Sequence, residues 1–313
     1  MRRQWFCGLA LLWAAAGMAA ELATPAIEGV VAAGTPIEVL REGLEGTEGP
    51  LRFTDGTLLF TENRVGRILR VAADGTLSEF LAGSQTNGSN SLALNARNEL
   101  VSVQTVRPAV GIVYPAGSVK TLVAGYQGKP FNRPNDLVID RSGGIYFTDP
   151  GNLPKPGEPQ AATAIYYLSP AGELKRLISD IAFPNGIQLS TDERTLYVAN
   201  TAGEYVLAYD VPAAGVVTNG RNFARLAVQN TGGGAMMGAD GLAIDSAGRL
   251  YAATAAGVQV FSAAGDALGV IELPKAPQNL AFAGLDRRQL YIVGRGSVYR
   301  IAMLAEGFSG RAK

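Results

Sequence analysis

A pattern that recurs six times along the chain constrains the fold more than any other feature. Each copy consists of a polar residue, a short apolar strand, a turn with Asp, Asn or Gly, and a second strand rich in Leu, Tyr and Val. The polar residues that open the copies are Glu48, Asn90, Asn135, Asn185, Asp240 and Asn279. They are 42, 45, 50, 55 and 39 residues apart, which is the length of a four-stranded propeller blade.

The repeat predicts an all-β fold: a six-bladed β-propeller with four antiparallel strands in each blade, formed by residues 21–313 as one domain. The sixth copy has a third strand near Val298 to Met303 and then ends in a polar tail. Because a propeller must close its ring to hide sheet edges, we expect Ile37 to Leu40 to supply the missing outer strand. A pair of β-sandwiches is the alternative, although a sandwich gives no reason for six repeats in register.

Residues 1–20 have the pattern of a signal peptide. Arg2 and Arg3 precede an apolar run, and small residues up to Ala20 suit a signal peptidase. The run is too short to span a bilayer, and no later run has the required length. We therefore expect an exported protein, periplasmic or secreted, that begins at Glu21 and has no membrane segment. An uncleaved N-terminal anchor is the alternative.

The amino-acid composition excludes several classes of site. Without Arg2 and Arg3, 25 of the 27 basic residues remain against 27 acidic ones, so net charge gives no reason to expect nucleic acid or an anionic membrane as a partner. The chain has no histidine, and its single cysteine, Cys7, lies within the signal. The mature chain therefore lacks a Ser-His-Asp triad, a cysteine nucleophile and the usual ligands of zinc, copper and iron.

The six residues that open the repeats predict a cation site. The first strand of each blade lines the central channel, so these side chains, all of which carry an oxygen, should converge near one face. Burying such a ring is unfavourable unless a ligand satisfies it. Calcium, which takes six to eight oxygen ligands, fits best, with magnesium, manganese or zinc as alternatives. Turn formation before Gly186 and Gly241 would explain single positions, but not six in one register.

The segments around these residues resemble the gluconolactonase, or regucalcin (senescence marker protein), family of six-bladed propellers. They are Glu48-Gly49-Pro50, Arg133-Pro134-Asn135-Asp136, Phe183-Pro184-Asn185-Gly186, Ala239-Asp240-Gly241 and Asn279-Leu280-Ala281-Phe282. The resemblance implies that Glu48, Asn135, Asn185 and Asp240 hold a divalent metal. It also implies that Arg133 and Asn135 contact the substrate, and it leaves Asn90 and Asn279 as lining residues.

The same resemblance implies a hydrolase that opens a small lactone, such as an aldonolactone. In this hypothesis the metal polarises the lactone carbonyl, Asp240 activates the attacking water, and Glu48 balances the charge of the ion. Two alternatives stay open: an organophosphate-type hydrolase with the same site, and a non-catalytic, metal-bearing binding propeller. The Pro- and Gly-rich insertion from Pro150 to Ala164 has a length typical of a lid, but it aligns with no substrate-contacting loop of the family.

Overall fold

A computed structural model describes residues 22–151, 159–227 and 238–310, and it confirms the all-β, six-bladed propeller. The signal peptide predicted for residues 1–20 lies outside these ranges. Within them, no helix has the length and apolar character that crossing a bilayer requires.

Each blade is a four-stranded antiparallel sheet whose first strand lies next to the axis. After β1 (Ile37–Arg41), blade 1 consists of β2 (Thr47–Arg52), β3 (Leu58–Glu62), β4 (Arg67–Val71) and β5 (Leu77–Leu81), and blade 2 of β6 (Ser89–Leu94), β7 (Leu100–Gln104), β8 (Ala109–Tyr114) and β9 (Lys120–Val123). A hairpin of β10 (Gly125–Tyr126) and β11 (Lys129–Pro130) leads to blade 3, which has β12 (Leu137–Ile139), β13 (Ile145–Asp149), β14 (Ala164–Leu168) and β15 (Leu174–Ile178).

Blade 4 consists of β16 (Pro184–Leu189), β17 (Thr195–Asn200), β18 (Tyr205–Ala213) and β19 (Val216–Arg225). Blade 5 has β20 (Leu242–Ile244), β21 (Leu250–Thr254), β22 (Gly257–Phe261) and β23 (Ala267–Ile271), and blade 6 has β24 (Asn279–Ala283), β25 (Gln289–Gly294) and β26 (Ser297–Ala302). The helical content of the described residues is one turn of α-helix, α1 (Gly83–Thr86), and a short 3-10 helix (Ala116–Ser118).

The ring is closed by the N-terminal strand, as the sequence predicts. β1 pairs antiparallel with β26, so that Ile37 lies opposite Ile301 and Val39 lies opposite Tyr299. The resulting sheet has the order β1-β26-β25-β24. The first and last strands of the chain are therefore held in one sheet, and that sheet becomes a complete sixth blade.

The hydrophobic core lies between the blades. Six clusters of buried side chains each join two neighbouring sheets around the ring. Phe60 of blade 1 packs with Tyr291 of blade 6, and Tyr146 of blade 3 packs with Ile187 of blade 4. Each blade packs apolar side chains against both of its neighbours, so the sequences of its strands are nearly continuous hydrophobic runs. This circular packing rules out the pair of sandwiches.

The inner strands are irregular where they begin, at the end of the channel that we call the upper mouth. Register shifts occur between Glu48 and Leu51 in β2, between Ser89 and Ser91 in β6, and between Pro184 and Ile187 in β16. Such bulges redirect a side chain away from the regular pleat and are frequent beside active sites. In blades 3 and 5, Asn135 and Asp240 immediately precede the regular ladder.

Candidate active site

The residues that open the six repeats are joined around the upper mouth by hydrogen bonds between neighbouring blades. The links, in ring order, are Thr61 Oγ1 to Asn90 O (2.8 Å), Asn90 Nδ2 to Asn135 O (2.9 Å), Thr148 Oγ1 to Asn185 O (2.8 Å), Gly186 N to Asp240 O (3.0 Å), Gly241 N to Gln278 O (2.7 Å) and Asn279 Nδ2 to Glu48 Oε2 (3.1 Å). The six positions therefore form one connected ring.

The glycines that follow three of these residues allow the blades to approach closely. A Cβ atom on Gly186 would lie 2.2 Å from Asp240 O, and one on Gly241 would lie 2.1 Å from Asn279 Oδ1. A Cβ atom on Gly49 would lie 2.4 Å from Asn90 O. Real Cβ atoms do not come this close to other heavy atoms. Close contact between blades, rather than turn formation alone, therefore explains these glycines.

Glu48 is buried and held by the blade next to it. Its Oε2 atom accepts hydrogen bonds from Asn279 Nδ2 at 3.1 Å and from Gly49 N at 3.1 Å. Its Oε1 atom accepts one from Gln278 Nε2 at 3.3 Å. Because two of these donors, Asn279 and Gln278, come from blade 6, closure of the ring also fixes the orientation of this carboxylate.

Asp240 has an unusual electrostatic environment. Burial is the largest effect and raises the pKa of its carboxyl group well above the ordinary value of 3.8. The negative charges of Glu48 and Asp136 raise this pKa further, whereas Arg295 and a hydrogen bond from Asn185 oppose the shift. The folded protein thus brings Glu48 and Asp240 close enough to repel each other, an arrangement that a bound cation would relieve.

Asn185 contributes an oxygen without a partner. Its side chain is 5% exposed, and its Nδ2 atom donates to Thr201 Oγ1 at 3.0 Å. Thr201 Oγ1 in turn donates to Ala239 O at 2.8 Å, so the hydroxyl is oriented to accept from the amide. The Oδ1 atom of Asn185 is buried and has no hydrogen-bond partner among the described residues. An unsatisfied acceptor of this kind calls for a donor or a cation.

Asn90 and Asn279 differ from Asn185, although they share its register. The Oδ1 atom of Asn90 accepts from Asn63 Nδ2 at 2.7 Å, and the Oδ1 atom of Asn279 accepts from Leu280 N at 2.9 Å. Both amides therefore use their oxygens within the protein and connect neighbouring blades. The ring is chemically asymmetric, which the repeat pattern alone does not reveal.

Arg133 is the exposed residue of an otherwise largely buried loop before β12, and Asn135 is partly buried at the end of that loop. The backbone of the loop is held by Asp149, the last residue of β13. Asp149 Oδ1 accepts from Arg133 N at 2.6 Å, and Asp149 Oδ2 accepts from Asn132 N at 2.9 Å. The sequence placed Arg133 near the site but did not identify the carboxylate that fixes its backbone.

The insertion predicted from Pro150 to Ala164 is described in part, and residues 152–158 lie outside the described ranges. Its second half is anchored by Gln160, whose Nε2 atom donates to the carbonyl oxygens of Tyr126, Lys129 and Pro130 at 2.9 to 3.2 Å. Gln160 N also donates to Asn132 Oδ1 at 2.7 Å. This half of the insertion is therefore tied to the loop that carries Arg133.

Several residues at the site were not identified from the sequence. They are Asp136, Thr201, Gln278 and Arg295. The repeat pattern could have identified Thr201, which follows the second strand of blade 4. A threonine also lies near the end of the second strand in blades 1, 3 and 5: Thr61, Thr148 and Thr254. Arg295 had no local signal, since it reaches the site from the turn between β25 and β26.

The predicted ligands would form an oxygen-only metal site of modest charge. The described residues contain no group of three or more His, Cys, Asp or Glu side chains placed to share an ion. The predicted set instead combines two carboxylates, Glu48 and Asp240, with two amides, Asn135 and Asn185. Amide and carboxylate oxygens are ligands that calcium accepts. A cation would relieve both the repulsion at Asp240 and the unsatisfied oxygen of Asn185.

Fold and site together define a six-bladed propeller with an oxygen-lined site on its axis. The chain belongs to the family described as SMP-30/Gluconolactonase/LRE-like region, whose model matches residues 46–295. This result confirms the family that the sequence segments indicated.

Comparisons with individual proteins agree with this assignment. A gluconolactonase of Zymomonas mobilis is 29% identical, over 89% of this chain and 84% of that protein. Lactonohydrolase oryL of Aspergillus oryzae is 31% identical, over 67% of this chain and 53% of that protein. Among solved structures, a gluconolactonase from Xanthomonas campestris has a TM-score of 0.76 and 30% identity, and the match covers 86% of this chain and 90% of that one.

Proposed function

We propose that this protein is an exported, calcium-dependent lactonase that hydrolyses a sugar lactone at the upper mouth of the propeller. The enzyme class, a lactone-hydrolysing hydrolase, rests on the gluconolactonase and lactonohydrolase relatives. The observation that carries the site assignment is the proximity of Asp240, Glu48 and Asn185, which combines a carboxyl group of raised pKa with an unsatisfied buried oxygen.

Glu48, Asn135, Asn185 and Asp240 would hold the metal. When bound, a divalent cation polarises the lactone carbonyl and stabilises the negative charge that develops on its oxygen. Calcium is the preferred candidate because the donors are carboxylate and amide oxygens, and because the chain offers no histidine.

Asp240 is the proposed general base. Its side chain would accept a proton from the water that attacks the carbonyl carbon, and its carboxylic acid would return that proton to the leaving alkoxide oxygen of the ring. A carboxylate is a stronger base when its pKa is raised, and efficiency is greatest when the pKa lies near the working pH. The raised pKa of Asp240 belongs to the metal-free protein, and a bound dication would lower it. The same ion would make a nearby water more acidic, so that a weaker base suffices.

The remaining site residues would bind the substrate or hold the ion in place. Arg133 would donate to an oxygen of the substrate from a loop whose backbone is held by Asp149. Asn135 would contact the same substrate at the inner end of that loop. Glu48, fixed by Asn279 and Gln278, would keep its carboxylate in one orientation and balance the charge of the ion.

Export is proposed from residues 1–20 alone, which carry Arg2 and Arg3, an apolar run and a small-residue cleavage region. The mass of the protein recovered from its host tests this point directly. A mature chain that begins at Glu21 supports export, and a full-length chain in the cytoplasm contradicts it.

Turnover of a panel of aldonolactones, followed by acid release, tests the proposed activity. The expected result is hydrolysis that is lost after treatment with EDTA and restored by calcium, with Asp240→Asn at least about 100-fold slower than wild type. A phosphotriester in the same panel tests the organophosphate alternative. Hydrolysis of the phosphotriester without hydrolysis of any lactone would overturn the proposal. Lactone hydrolysis that is unaffected by EDTA would overturn its metal dependence.

A further inference from the structure

A cavity of about 630 Å³ opens at the other end of the channel, the lower mouth, where the inner strands end. Its wall is formed by turns that follow the first strands of blades 1, 2, 3 and 6, and by Ser309 and Gly310 of the C-terminal segment. A cavity of this volume accommodates a small organic molecule. None of the residues assigned to the active site lines it.

The C-terminal segment shapes this mouth by crossing from blade 6 to blade 5. Met303 N donates to Arg288 O at 2.8 Å, Gly307 N donates to Arg287 O at 2.9 Å, and Phe308 N donates to Ile244 O at 3.3 Å. These bonds fix the turn that carries Arg287. One wall of the cavity is therefore a preformed part of the fold.

Two arginines from neighbouring blades, Arg52 and Arg287, line this cavity. Arg52 ends β2, is partly buried, and is held by hydrogen bonds from Nε to Gly284 O at 2.9 Å and from Nη1 to Phe53 O at 3.3 Å. Arg287 lies on the turn between β24 and β25, and its side chain has no hydrogen bond or ion pair within the described part of the chain. Burial lowers the pKa of Arg52, and the positive charge of Arg287 lowers it further.

The nearby carboxylates are engaged elsewhere. Asp140, which also lines the cavity, accepts from Ser142 N, Ser142 Oγ and Gly144 N and from the hydroxyl of Tyr167. Asp55, whose charge favours the protonated form of Arg52, accepts from Thr57 and forms an ion pair with Arg70. A third cation of the wall, Arg141, pairs with Glu193 at 3.7 Å. Asp286, which precedes Arg287, accepts from Arg288 N. Among the described residues, neither Arg52 nor Arg287 therefore forms an ion pair with a carboxylate, although the charge of Asp55 acts on Arg52.

We propose that the lower mouth is a second binding site, distinct from the active site, that takes a small phosphate monoester between Arg52 and Arg287. Two neighbouring guanidinium groups match the two charges and several acceptor oxygens of a phosphate group. The volume exceeds what a free phosphate ion fills, so the remainder of the cavity receives the organic part of the ester.

Isothermal titration of the whole protein with glucose 1-phosphate tests this site, with inorganic phosphate and methyl glucoside as further probes at equal ionic strength. The expected result is binding of glucose 1-phosphate, weaker binding of inorganic phosphate and no binding of methyl glucoside. Equal affinity for the two phosphates would overturn the ester assignment, and equal affinity for methyl glucoside would overturn the role of the charge.

Arg287→Gln is the informative variant, because the Arg287 side chain has no hydrogen bond or ion pair among the described residues that the substitution would remove. We expect its affinity for glucose 1-phosphate to fall at least about tenfold. The matched control is Arg225→Gln, an exposed arginine of β19 that lies 3.8 Å from Glu204 on the outer edge of blade 4. Unchanged affinity in Arg287→Gln contradicts the proposal, as does binding that is lost in Asp240→Asn, which would locate the ligand at the upper mouth.

Discussion

Asn279 Nδ2 donates to Glu48 Oε2 at 3.1 Å, across the junction at which the last blade meets the first. The two residues are 231 positions apart in the chain. The same contact therefore closes the ring and orients a carboxylate of the candidate active site. This dual use connects the integrity of the fold to the geometry of the site.

The first prediction concerns this contact. Asn279→Ala should remove one of the two donors that blade 6 gives Glu48, the one to Oε2, and leave the donor Gln278 in place. We expect affinity for calcium to fall about tenfold, as is common when a residue that orients a metal ligand is lost. Calcium titration by calorimetry measures the effect. Asn222→Ala, on the exposed outer strand of blade 4, should bind calcium as the wild type does. Equal affinity in both variants would contradict the orienting role of Asn279.

The second prediction concerns the stability of the metal-free protein. The pKa of Asp240 is raised above 3.8 in the folded state, so the folded protein holds this proton more tightly than the unfolded chain. Stability must therefore fall as pH rises from about 4 through the folded-state pKa. Asp240→Asn removes the partly buried charge, and we expect it to be more stable than the wild type at pH 8 in EDTA, with a smaller difference at pH 5.

Thermal unfolding in EDTA from pH 5 to pH 8 measures this difference. Asp180→Asn, an exposed position, is the control and should follow the wild type at every pH. A variant at position 240 that is less stable than the wild type across the whole range would mean that the charged form of Asp240 is stabilised in the folded protein, contrary to its raised pKa.

The fold was predictable because its determinants are local and repeated. Six copies of an apolar two-strand pattern at blade spacing leave few alternatives, and the incomplete sixth copy identified Ile37 to Leu40 as the closing strand. The register also located Glu48, Asn185 and Asp240 in one ring. The pattern could not distinguish Asn185 from Asn90, because only their neighbours decide which amide oxygen is already used.

Other features depend on distances that a repeat does not encode. Arg295 influences Asp240 from a turn that is far away in sequence, and Gln278 contacts Glu48 from the opposite end of the chain. The arginine pair at the lower mouth arises in the same way, since Arg52 and Arg287 are brought together only by ring closure. Sequence spacing predicts which strand a residue belongs to, whereas contacts between blades require the assembled fold.

The third prediction tests close packing between blades 4 and 5. Gly186→Ala places a methyl group 2.2 Å from Asp240 O, so the two inner strands must separate. We expect a loss of about 2 kcal/mol in the free energy of unfolding, within the range for overpacked sites, together with reduced turnover because Asp240 moves. Gly117→Ala is the matched control, since nothing lies within 4 Å of its added Cβ atom. Chemical denaturation measures both, and equal stability would contradict the packing argument.

The last prediction concerns the loop that carries Arg133. Asp149 accepts two backbone N–H groups from this loop, at 2.6 and 2.9 Å, and an asparagine can replace only one of these acceptors. Asp149→Asn should therefore loosen the loop and raise KM for a lactone about tenfold, with a smaller change in kcat, because Arg133 would bind the substrate and not the reacting water. Arg133→Gln should show the same division between KM and kcat. The double variant should be little worse than either single one, since both changes remove the same interaction. Independent, multiplicative effects would show that Asp149 acts on the substrate by another route.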